Sequence, residues 1–243
     1  FNYSNKTFSN PRPISAGSKS YKINVNISTG TQMLVPLAET WSNREYNSTN
    51  SNIQTIKYND SNFIIFNYEN NRDDISISDK LNSIKILNAL GKTIKYVNFE
   101  YDYFGLGENE TIDNKRPEDI RLRLDAVKFK PNVLDLESED YNFTYNFPED
   151  IPAIDSKSRD IYGYYNGKGN STLLPKMQYG MHFIPGANRD FSFDHATKGI
   201  LTSIKYPTGG FTNFQYEQAV ALENQIVYST VFSLQSPSSS YNP

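Results

Sequence analysis

Residues 201–217 read LTSIKYPTGGFTNFQYE, and residues 53–69 repeat the pattern without a gap as IQTIKYNDSNFIIFNYE. Both copies contain Ile-Lys-Tyr, then four turn-forming residues, then Phe-x-x-Phe-x-Tyr-Glu. Repetition of this kind indicates a repeated supersecondary unit, so it bears on the architecture before it bears on any chemistry.

Each copy predicts a β-hairpin. In the second copy Ile204 and Tyr206 are two residues apart, as are Phe214 and Tyr216, so each pair lines one face of a strand. If Tyr206 lies opposite Phe214 and Ile204 opposite Tyr216, all four share one face and the loop has an odd length, favouring three residues with a bulge. The residues that we expect on the matching face of the first copy are Ile56, Tyr58, Phe66 and Tyr68. A buried Phe66 or Phe214 truncated to Ala should cost ~3–5 kcal/mol.

The turn motif of the second copy is Tyr206-Pro207-Thr208-Gly209-Gly210. Glycine adopts positive φ without a Cβ clash, so at least one of its two glycines should do so. On this basis Gly210→Val should weaken the hairpin by roughly 1–3 kcal/mol through backbone strain, with no loss of an activity. The first copy should have a turn of similar reach.

Two weaker copies lie between these. Residues 81–86 and 94–101 flank Gly91, and residues 124–129 and 141–145 flank a longer polar loop. We therefore predict four antiparallel hairpins in an all-β fold with little helix, forming a curved or wrapped sheet, as a partial shell or a β-sandwich-like arrangement. Strand should exceed helix at least about threefold.

The chain divides into three segments. Residues 1–52 are predicted to be irregular with a strand, residues 53–217 to hold the hairpins, and residues 218–243 to form a C-terminal segment with a polar tail. Within these segments we expect irregular chain over 1–20, a strand over 21–27, a polar loop over 42–52, and a short helix in 188–199.

Composition limits the partners. The chain has 18 Tyr and 15 Phe, which suits a sheet with aromatic packing. The net charge is -3 and basic residues are scattered, which argues against a nucleic-acid partner. Lysines recur at one hairpin position, where a solvent-facing lysine guards against edge pairing. They are Lys57, Lys85, Lys128 and Lys205.

The chain has no cysteine, so it can have neither a disulfide nor a thiolate metal site. No stretch approaches the ~20 apolar residues of a spanning helix, so no membrane-spanning segment is predicted. The chain begins at Phe1 without a signal peptide, which leads us to expect a processed product or a piece of something longer.

Catalytic motifs are weak. His195 could act as a base or a metal ligand with Asp194 or Asp190, and His182 lies nearby in sequence. A nucleophile elbow or an HExxH motif does not accompany them, so we expect a non-enzyme without a cofactor. The Gly105-Leu106-Gly107 stretch is interpreted as a turn, because no helix follows it.

Two acidic loops raise the alternative of calcium binding. Calcium takes six to eight oxygen ligands from such loops, but the ordered Asp-x-Asp-x-Asp-Gly pattern is missing, so solvated loops and no metal site are favoured. The acidic residues are Glu108, Glu110, Asp113 and Asp119 in one loop, and Asp150, Asp155 and Asp160 in the other.

A tyrosine-rich stretch offers a candidate ligand site. Tyr162, Tyr164 and Tyr165, with Asn166, could form a platform on which a sugar stacks. The alternative is that Gly163 and Gly167 let the strand bend and the tyrosines pack into the sheet. This alternative is favoured because tyrosine is used for packing throughout the chain.

Two stretches resemble a known family. RDIYGYYNGKGNSTLLP at 159–175 and GANRDFSF…GILTSIKYPTGGFTNFQYE at 186–217 resemble segments of Rhs/YD-repeat proteins of the Bacteroidetes type, and LRLDAVKF resembles a strand of theirs. The resemblance covers about residues 53–217. It implies a bacterial protein that is secreted or on the cell surface, associated with the outer membrane, and built of tandem hairpins that can form a shell.

The leading hypothesis is therefore a non-enzymatic structural segment that contributes a β-shell or an adhesive surface. Its partners would be other segments of a larger chain or an export or surface complex. The alternative is a carbohydrate-binding module that uses exposed tyrosines.

Overall fold

The computed structural model describes residues 2–10, 16–25, 32–42, 46–58, 61–76, 78–179 and 182–218. Within these ranges the protein is all-β, with thirteen strands, one four-residue α-helix and three single-turn 3-10 helices, as predicted. Within the same ranges, no helix has the length and apolar character needed to cross a membrane.

The strands are β1 (Asn2–Asn10), β2 (Ala16–Val25), β3 (Gln32–Ser42), β4 (Tyr46–Tyr58), β5 (Asn62–Glu69), β6 (Lys80–Leu87), β7 (Thr93–Phe104), β8 (Arg121–Lys130), β9 (Glu139–Tyr145), β10 (Met177–Tyr179), β11 (His182–Ile184), β12 (Leu201–Lys205) and β13 (Phe211–Asn213). The α-helix is α1 (Phe193–Ala196), and the 3-10 turns are Ile112–Asn114, Pro117–Asp119 and Pro148–Asp150.

Nine strands form one antiparallel sheet in the order β1-β4-β5-β6-β7-β8-β9-β12-β13. All four predicted hairpins are antiparallel: β4 with β5, β6 with β7, β8 with β9, and β12 with β13. The sheet ends at β1 and β13 and does not close on itself within the described residues. Two small sheets, β2–β3 and β10–β11, lie outside it.

The strand register divides the sheet into two faces. Ile56 lies opposite Ile64, Phe66 opposite Ile84, and Ile84 opposite Val97 on the next strand. The predicted grouping of apolar residues on matching faces is therefore confirmed, because opposed residues share a face. We call this the apolar face; it carries Ile56, Tyr58, Ile64, Phe66, Tyr68, Ile84, Ile86, Val97, Phe99, Tyr101, Tyr103, Leu122, Leu124, Val127, Phe129, Tyr141, Phe143, Tyr145, Ile204, Tyr206, Phe214 and Tyr216.

Aromatic rings connect the strands across the apolar face. The Tyr141 ring makes edge-to-face contacts with Phe129 at a centroid distance of 5.6 Å and with Tyr206 at 5.8 Å. Phe104, which ends β7 and is not part of the apolar face, packs edge-to-face with Tyr145 at 5.0 Å. Such pairs add about 0.5–1.5 kcal/mol beyond the area that they bury.

The four recurrent lysines lie on the opposite face, as predicted. Lys57 is opposite Phe63, Lys85 opposite Tyr96, and the other two, Lys128 and Lys205, are both opposite residues of β9. Lys57 and Lys205 are exposed, whereas the other two are half-buried.

The pairing within the last hairpin corrects one prediction. Ile204 lies opposite Thr212, and the N–H of Tyr206 donates to the Gly210 carbonyl at 2.8 Å, so neither Phe214 nor Tyr216 is the partner. Pro207-Thr208-Gly209 already forms the whole loop, so the second strand begins earlier than we predicted. The shift is even-numbered, and the faces and the odd-length, three-residue loop remain as predicted.

Few side chains are fully buried. Among the described residues the buried apolar set is Val97, Tyr103, Ile120, Ala126 and Ala187. Phe66 is half-buried and Phe214 is exposed, so the cost expected for truncating a fully buried Phe does not apply to either.

Polar stretches near the N-terminus form strands where we expected irregular chain. β1 and β2 occupy most of 2–25, and β4 includes all of 46–52 and continues through the 52/53 boundary. β1 pairs with β4 along its whole length, because backbone hydrogen bonds of a ladder do not require apolar side chains. The helix expected in 188–199 is present as α1, and residues 219–243 lie outside the described residues.

Candidate functional site

The meander places two kinds of connection at opposite ends of the sheet. The connections within the hairpins, which include 88–92, 131–138 and 206–210, lie at one end, which we call the turn end. The long connections 70–79, 105–120 and 146–200 lie at the other, which we call the loop end. The loop end contains nearly all of the candidate chemistry predicted from sequence.

Asp74 joins the first long connection to β8. Its carboxylate accepts two hydrogen bonds from the Arg72 guanidinium, at 2.9 and 2.7 Å, and one from the N–H of Leu122 at 3.0 Å. The side chain is only 5% exposed. Burial raises the pKa of Asp74, but the hydrogen bonds from Arg72 and Leu122 outweigh it and hold the pKa below its ordinary value.

Tyr103 supports the same connection. Its hydroxyl accepts a hydrogen bond from the N–H of Asp73 at 2.9 Å. Burial raises the pKa of Tyr103 to about 12, so the phenol stays protonated at neutral pH. This buried hydroxyl therefore has a positioning role.

The other two long connections are tied together by their backbones. The N–H of Gly105 donates to the Pro148 carbonyl at 2.8 Å, and the N–H of Ile154 donates to the Glu118 carbonyl at 2.8 Å. A Cβ on Gly105 would lie 2.2 Å from a backbone oxygen, so only glycine allows this approach. The Gly105-Leu106-Gly107 turn is thus a packing feature.

The predicted acidic residues are mostly engaged with cations of the chain. Glu110 pairs with Lys115 at 2.7 Å, and Asp150 pairs with Lys198 at 2.6 Å. Arg116 pairs with Asp119 at 2.6 Å, and with Asp155 at 3.5 Å. Glu108 and Asp113 are in the same loop as Glu110, but the described residues contain no group of three potential metal ligands.

A cavity of about 190 Å³ lies where the three long connections meet. Its apolar lining is Ile75, Pro117, Ile120 and Ile154. Arg72 and Arg121 also line it, but Arg72 is engaged with Asp74 and Arg121 donates to the Pro152 carbonyl at 2.6 Å. The cavity therefore offers a ligand mainly apolar contacts.

The tyrosine-rich stretch is held from within by Asp160. This residue is fully buried, and its Oδ1 accepts hydrogen bonds from the N–H groups of Tyr162 and Tyr164, both at 2.9 Å. Its carbonyl accepts hydrogen bonds from the Arg189 guanidinium. Asp160 is thus a structural residue rather than a surface ligand for calcium.

Asn166 is equally buried. Its Nδ2 donates to the carbonyls of Asn188 and Asp190, both at 3.0 Å, and its Oδ1 accepts from the N–H of Lys168 at 3.3 Å. These contacts join the GYYNGK and GANR stretches. Because the whole side chain is engaged and buried, Asn166 does not present a group to a ligand as the sequence suggested.

His195 packs against the same stretch. Its Nδ1 lies 2.7 Å from Ser192 Oγ, and its ring meets the Tyr165 ring edge-to-face at 5.3 Å. A Cβ on Gly167 would lie 2.2 Å from the imidazole. The partner of Nδ1 is a serine and neither predicted aspartate, Asp190 or Asp194, so the proposed acid–base pair does not form; the side chain of His182 lies outside the described residues.

The tyrosines differ in exposure. Tyr162 is 77% exposed and Tyr164 is 59% exposed, so the packing alternative is wrong for these two residues. Tyr165 is half-buried and lines an open cleft of about 500 Å³ together with Asp155, Lys157 and other polar residues. The arrangement presents two aromatic rings to solvent from a backbone that internal hydrogen bonds hold in place.

The turn motif at 206–210 lies at the turn end. The N–H of Gly209 donates to the Tyr206 carbonyl at 3.0 Å, and Gly209 has φ 85°, which confirms one positive-φ glycine. Gly210 does not have positive φ, so the strain predicted for Gly210→Val belongs to Gly209 instead. The turn at Gly91 has the same two backbone hydrogen bonds: the N–H of Gly91 donates to the Asn88 carbonyl, and the N–H of Asn88 donates to the Lys92 carbonyl.

Sequence reasoning missed Asp74, Arg72 and Arg189. Arg72 and Asp74 lie two residues apart in a polar loop, which gives no periodic signal, and their function depends on a contact with Leu122. Arg189 belongs to the GANR stretch, but its structural role comes from hydrogen bonds to the carbonyls of Asp160 and Leu173, which are distant in sequence.

Comparisons with protein-family models, with curated proteins and with solved structures found no match for this chain.

Proposed function

We propose that this chain is a non-enzymatic structural segment of an exported Rhs/YD-repeat-like surface protein, in which it contributes part of a β-shell or an adhesive surface. The observation that carries the proposal is the apolar face, which runs in register from β4 to β13 on a sheet with two open ends.

The apolar face is incompletely buried. Phe66, Phe99 and Phe143 are half-buried, and Phe214 and Tyr216 are exposed. A sheet that is apolar on one face must bury that face against another layer to be stable. Large exposed apolar patches are uncommon on monomeric proteins and mark interaction sites. Other segments of a larger chain are the covering layer that this proposal requires.

Site-specific photocrosslinking tests this function. Phe143 and Asn142 are neighbours on β9 that point to opposite faces. A photoreactive amino acid at Phe143, in the full-length protein expressed by its host, should crosslink to other segments of the same polypeptide or to a surface partner. The same group at Asn142 should crosslink much less. Equal yields at the two positions, or none at Phe143, would contradict the proposal.

Location is tested separately. Protease treatment of intact cells should remove the protein if it is on the surface. Full protection in intact cells, with digestion only after lysis, would exclude the exported location. The crosslinking result would still test the structural role.

The exposed tyrosines favour carbohydrate binding as a second candidate function. Tyr162 and Tyr164 project from a backbone already fixed by Asp160, so stacking a sugar would cost little ordering entropy. A glycan array is the first assay. Tyr164→Ala should abolish a specific signal, whereas Tyr216→Ala, at an exposed tyrosine elsewhere, should retain it. An array without a specific signal would exclude this candidate.

A further inference from the structure

The turn end carries exposed apolar residues that are not members of the apolar face. Leu90 is 92% exposed, Leu134 88% and Leu136 96%. Ile94 and Val133, next to them, are also exposed. We call these five residues the leucine patch. A single exposed leucine is ordinary, but several exposed apolar residues on neighbouring hairpins mark an interaction site.

The leucine patch is presented by ordered loops. Asn88 Oδ1 accepts hydrogen bonds from the N–H groups of Leu90 and Lys92, both at 3.0 Å. Asn132 Oδ1 accepts one from the N–H of Leu134 at 2.8 Å. Neighbouring hairpins therefore hold the leucines in place before any partner arrives, which lowers the entropy cost of binding.

A groove of about 440 Å³ lies beside the patch. Its apolar wall is formed by Ile94, Phe129 and Pro131, and Lys95 Nζ lies 4.7 Å from the centroid of the Phe129 ring. The groove is large enough for an aliphatic side chain, and its wall matches the chemistry of a leucine.

Charges divide the same surface into two halves. Lys92, Lys95 and Lys130 lie on the β7–β8 side, and Asp135, Glu137 and Glu139 lie on the side of β9 and the loop before it. These six residues form no ion pair within the described part of the chain. Opposite charges that are unpaired around an apolar centre are the arrangement that electrostatic complementarity uses to fix register at an interface.

We propose that the turn end is the contact surface of a two-fold homodimer. In a two-fold contact the same patch meets itself, so the basic half of one copy meets the acidic half of the other. Leu134 and Leu136 would enter the partner's groove against Phe129 and Pro131. Of the apolar face the proposal uses only Phe129, at the turn end. The crosslinking result at Phe143 and the sedimentation result below can therefore fail independently.

A second copy fits this surface better than a lipid does. The acidic half would be repelled by an anionic membrane, while a second copy satisfies both halves at once. The mixed charges also predict that high salt weakens the dimer.

Sedimentation velocity of the full chain over a concentration series tests the proposal. The wild type should be a reversible dimer, and Leu134→Glu should raise the dissociation constant about tenfold or more. Ile161→Glu, at an exposed apolar residue of the loop end, is the matched control and should leave the dimer unchanged. Because both positions are exposed, both variants should retain the wild-type melting curve at concentrations where the wild type is monomeric.

Charge reversal identifies the two-fold contact specifically. Lys95→Glu and Glu137→Lys should each weaken the dimer, and the double variant should restore it. A monomer at every concentration, an unchanged dimer in Leu134→Glu, or no restoration in the double variant would overturn the proposal. So would binding of the wild-type monomer to neutral lipid vesicles through Leu134, which would assign the patch to a membrane instead.

Discussion

Substitution of Gly209 by valine gives a direct test of the hairpin geometry. Gly209 has φ 85° and Gly91, at the same place in the second hairpin, has φ 73°. A Cβ at either position would have no atom within 4 Å, so the substitution introduces no steric contact with the rest of the fold. Any loss of stability must therefore come from the backbone conformation.

The expected magnitude follows from that conformation. A non-glycine residue at positive φ costs of order 1–3 kcal/mol, with a β-branched residue at the upper end. Gly210 lies next in sequence, lacks positive φ, and a Cβ there would meet only Thr208 Oγ1 at 4.0 Å. We therefore expect Gly209→Val to cost about 1–3 kcal/mol, and Gly210→Val to stay within about 0.5 kcal/mol, as surface substitutions do.

Hydrogen exchange is the suitable assay, because β13 is an edge strand that can open without global unfolding. The amide of Tyr206, which donates to Gly210, reports directly on the closed turn. Each 1.4 kcal/mol changes the open population tenfold, so a cost of about 1–3 kcal/mol should accelerate its exchange about 5- to 150-fold in Gly209→Val. Gly209→Asn should exchange at an intermediate rate, because Asn tolerates this conformation. Equal protection in the two valine variants would refute the assignment of positive φ to Gly209.

Three further predictions concern the loops and the sheet. The Asp74 pKa is lowered in the fold, so its stabilisation is fully present above the ordinary pKa of about 3.9 and is lost as pH falls through the lower folded value; urea midpoints measured against pH should fall more in wild type than in Asp74→Asn, which keeps the lowered pKa values of Asp119 and Glu110. Phe66→Ala should destabilise by about 1.5–3 kcal/mol and Phe214→Ala by no more than about 1, because only Phe66 is substantially covered; equal shifts in a urea titration would contradict the burial difference. Gly167→Ala should lower the melting temperature because its Cβ meets the His195 ring, and adding His195→Ala should recover part of the loss; no recovery would leave the positive φ of 65° as the sole cause.

The hairpins were predictable because their signals are local. Alternation places Ile204 and Tyr206 on one face, and the last loop residue is a glycine in both turns, Gly91 and Gly209. Which face a side chain lies on changes only when the register shifts by an odd number of residues. The predicted faces are therefore correct although the predicted partners in the last hairpin are wrong. The number of loop residues that separate strands is set by turn geometry, which the apolar pattern does not specify.

The remaining features depend on contacts between distant residues. Leu122 lies 48 residues from Asp74, and no spacing in the sequence connects them. The sequence predicts a polar loop over 42–52, because Asn and Ser have low strand propensity, but β4 occupies 46–52 of it. Pairing with β1 overrides that propensity, because the ladder satisfies backbone groups whatever the side chains are.

The two ends of the sheet differ in how far their polar groups are satisfied within the chain. At the loop end, Asp74, Asn166 and Arg189 direct their polar groups to backbone partners or to a neighbouring ion, which fixes the long connections. At the turn end, Lys95 and Glu137 have no ionic partner within the described residues, and the nearby leucines are exposed to solvent. Satisfied polar groups make a loop rigid, whereas unpaired charges around exposed leucines gain energy only from a partner. An assembly built from this chain should therefore form its contacts at the turn end and across the apolar face, while the loop end keeps its shape and presents Tyr162 and Tyr164 to solvent.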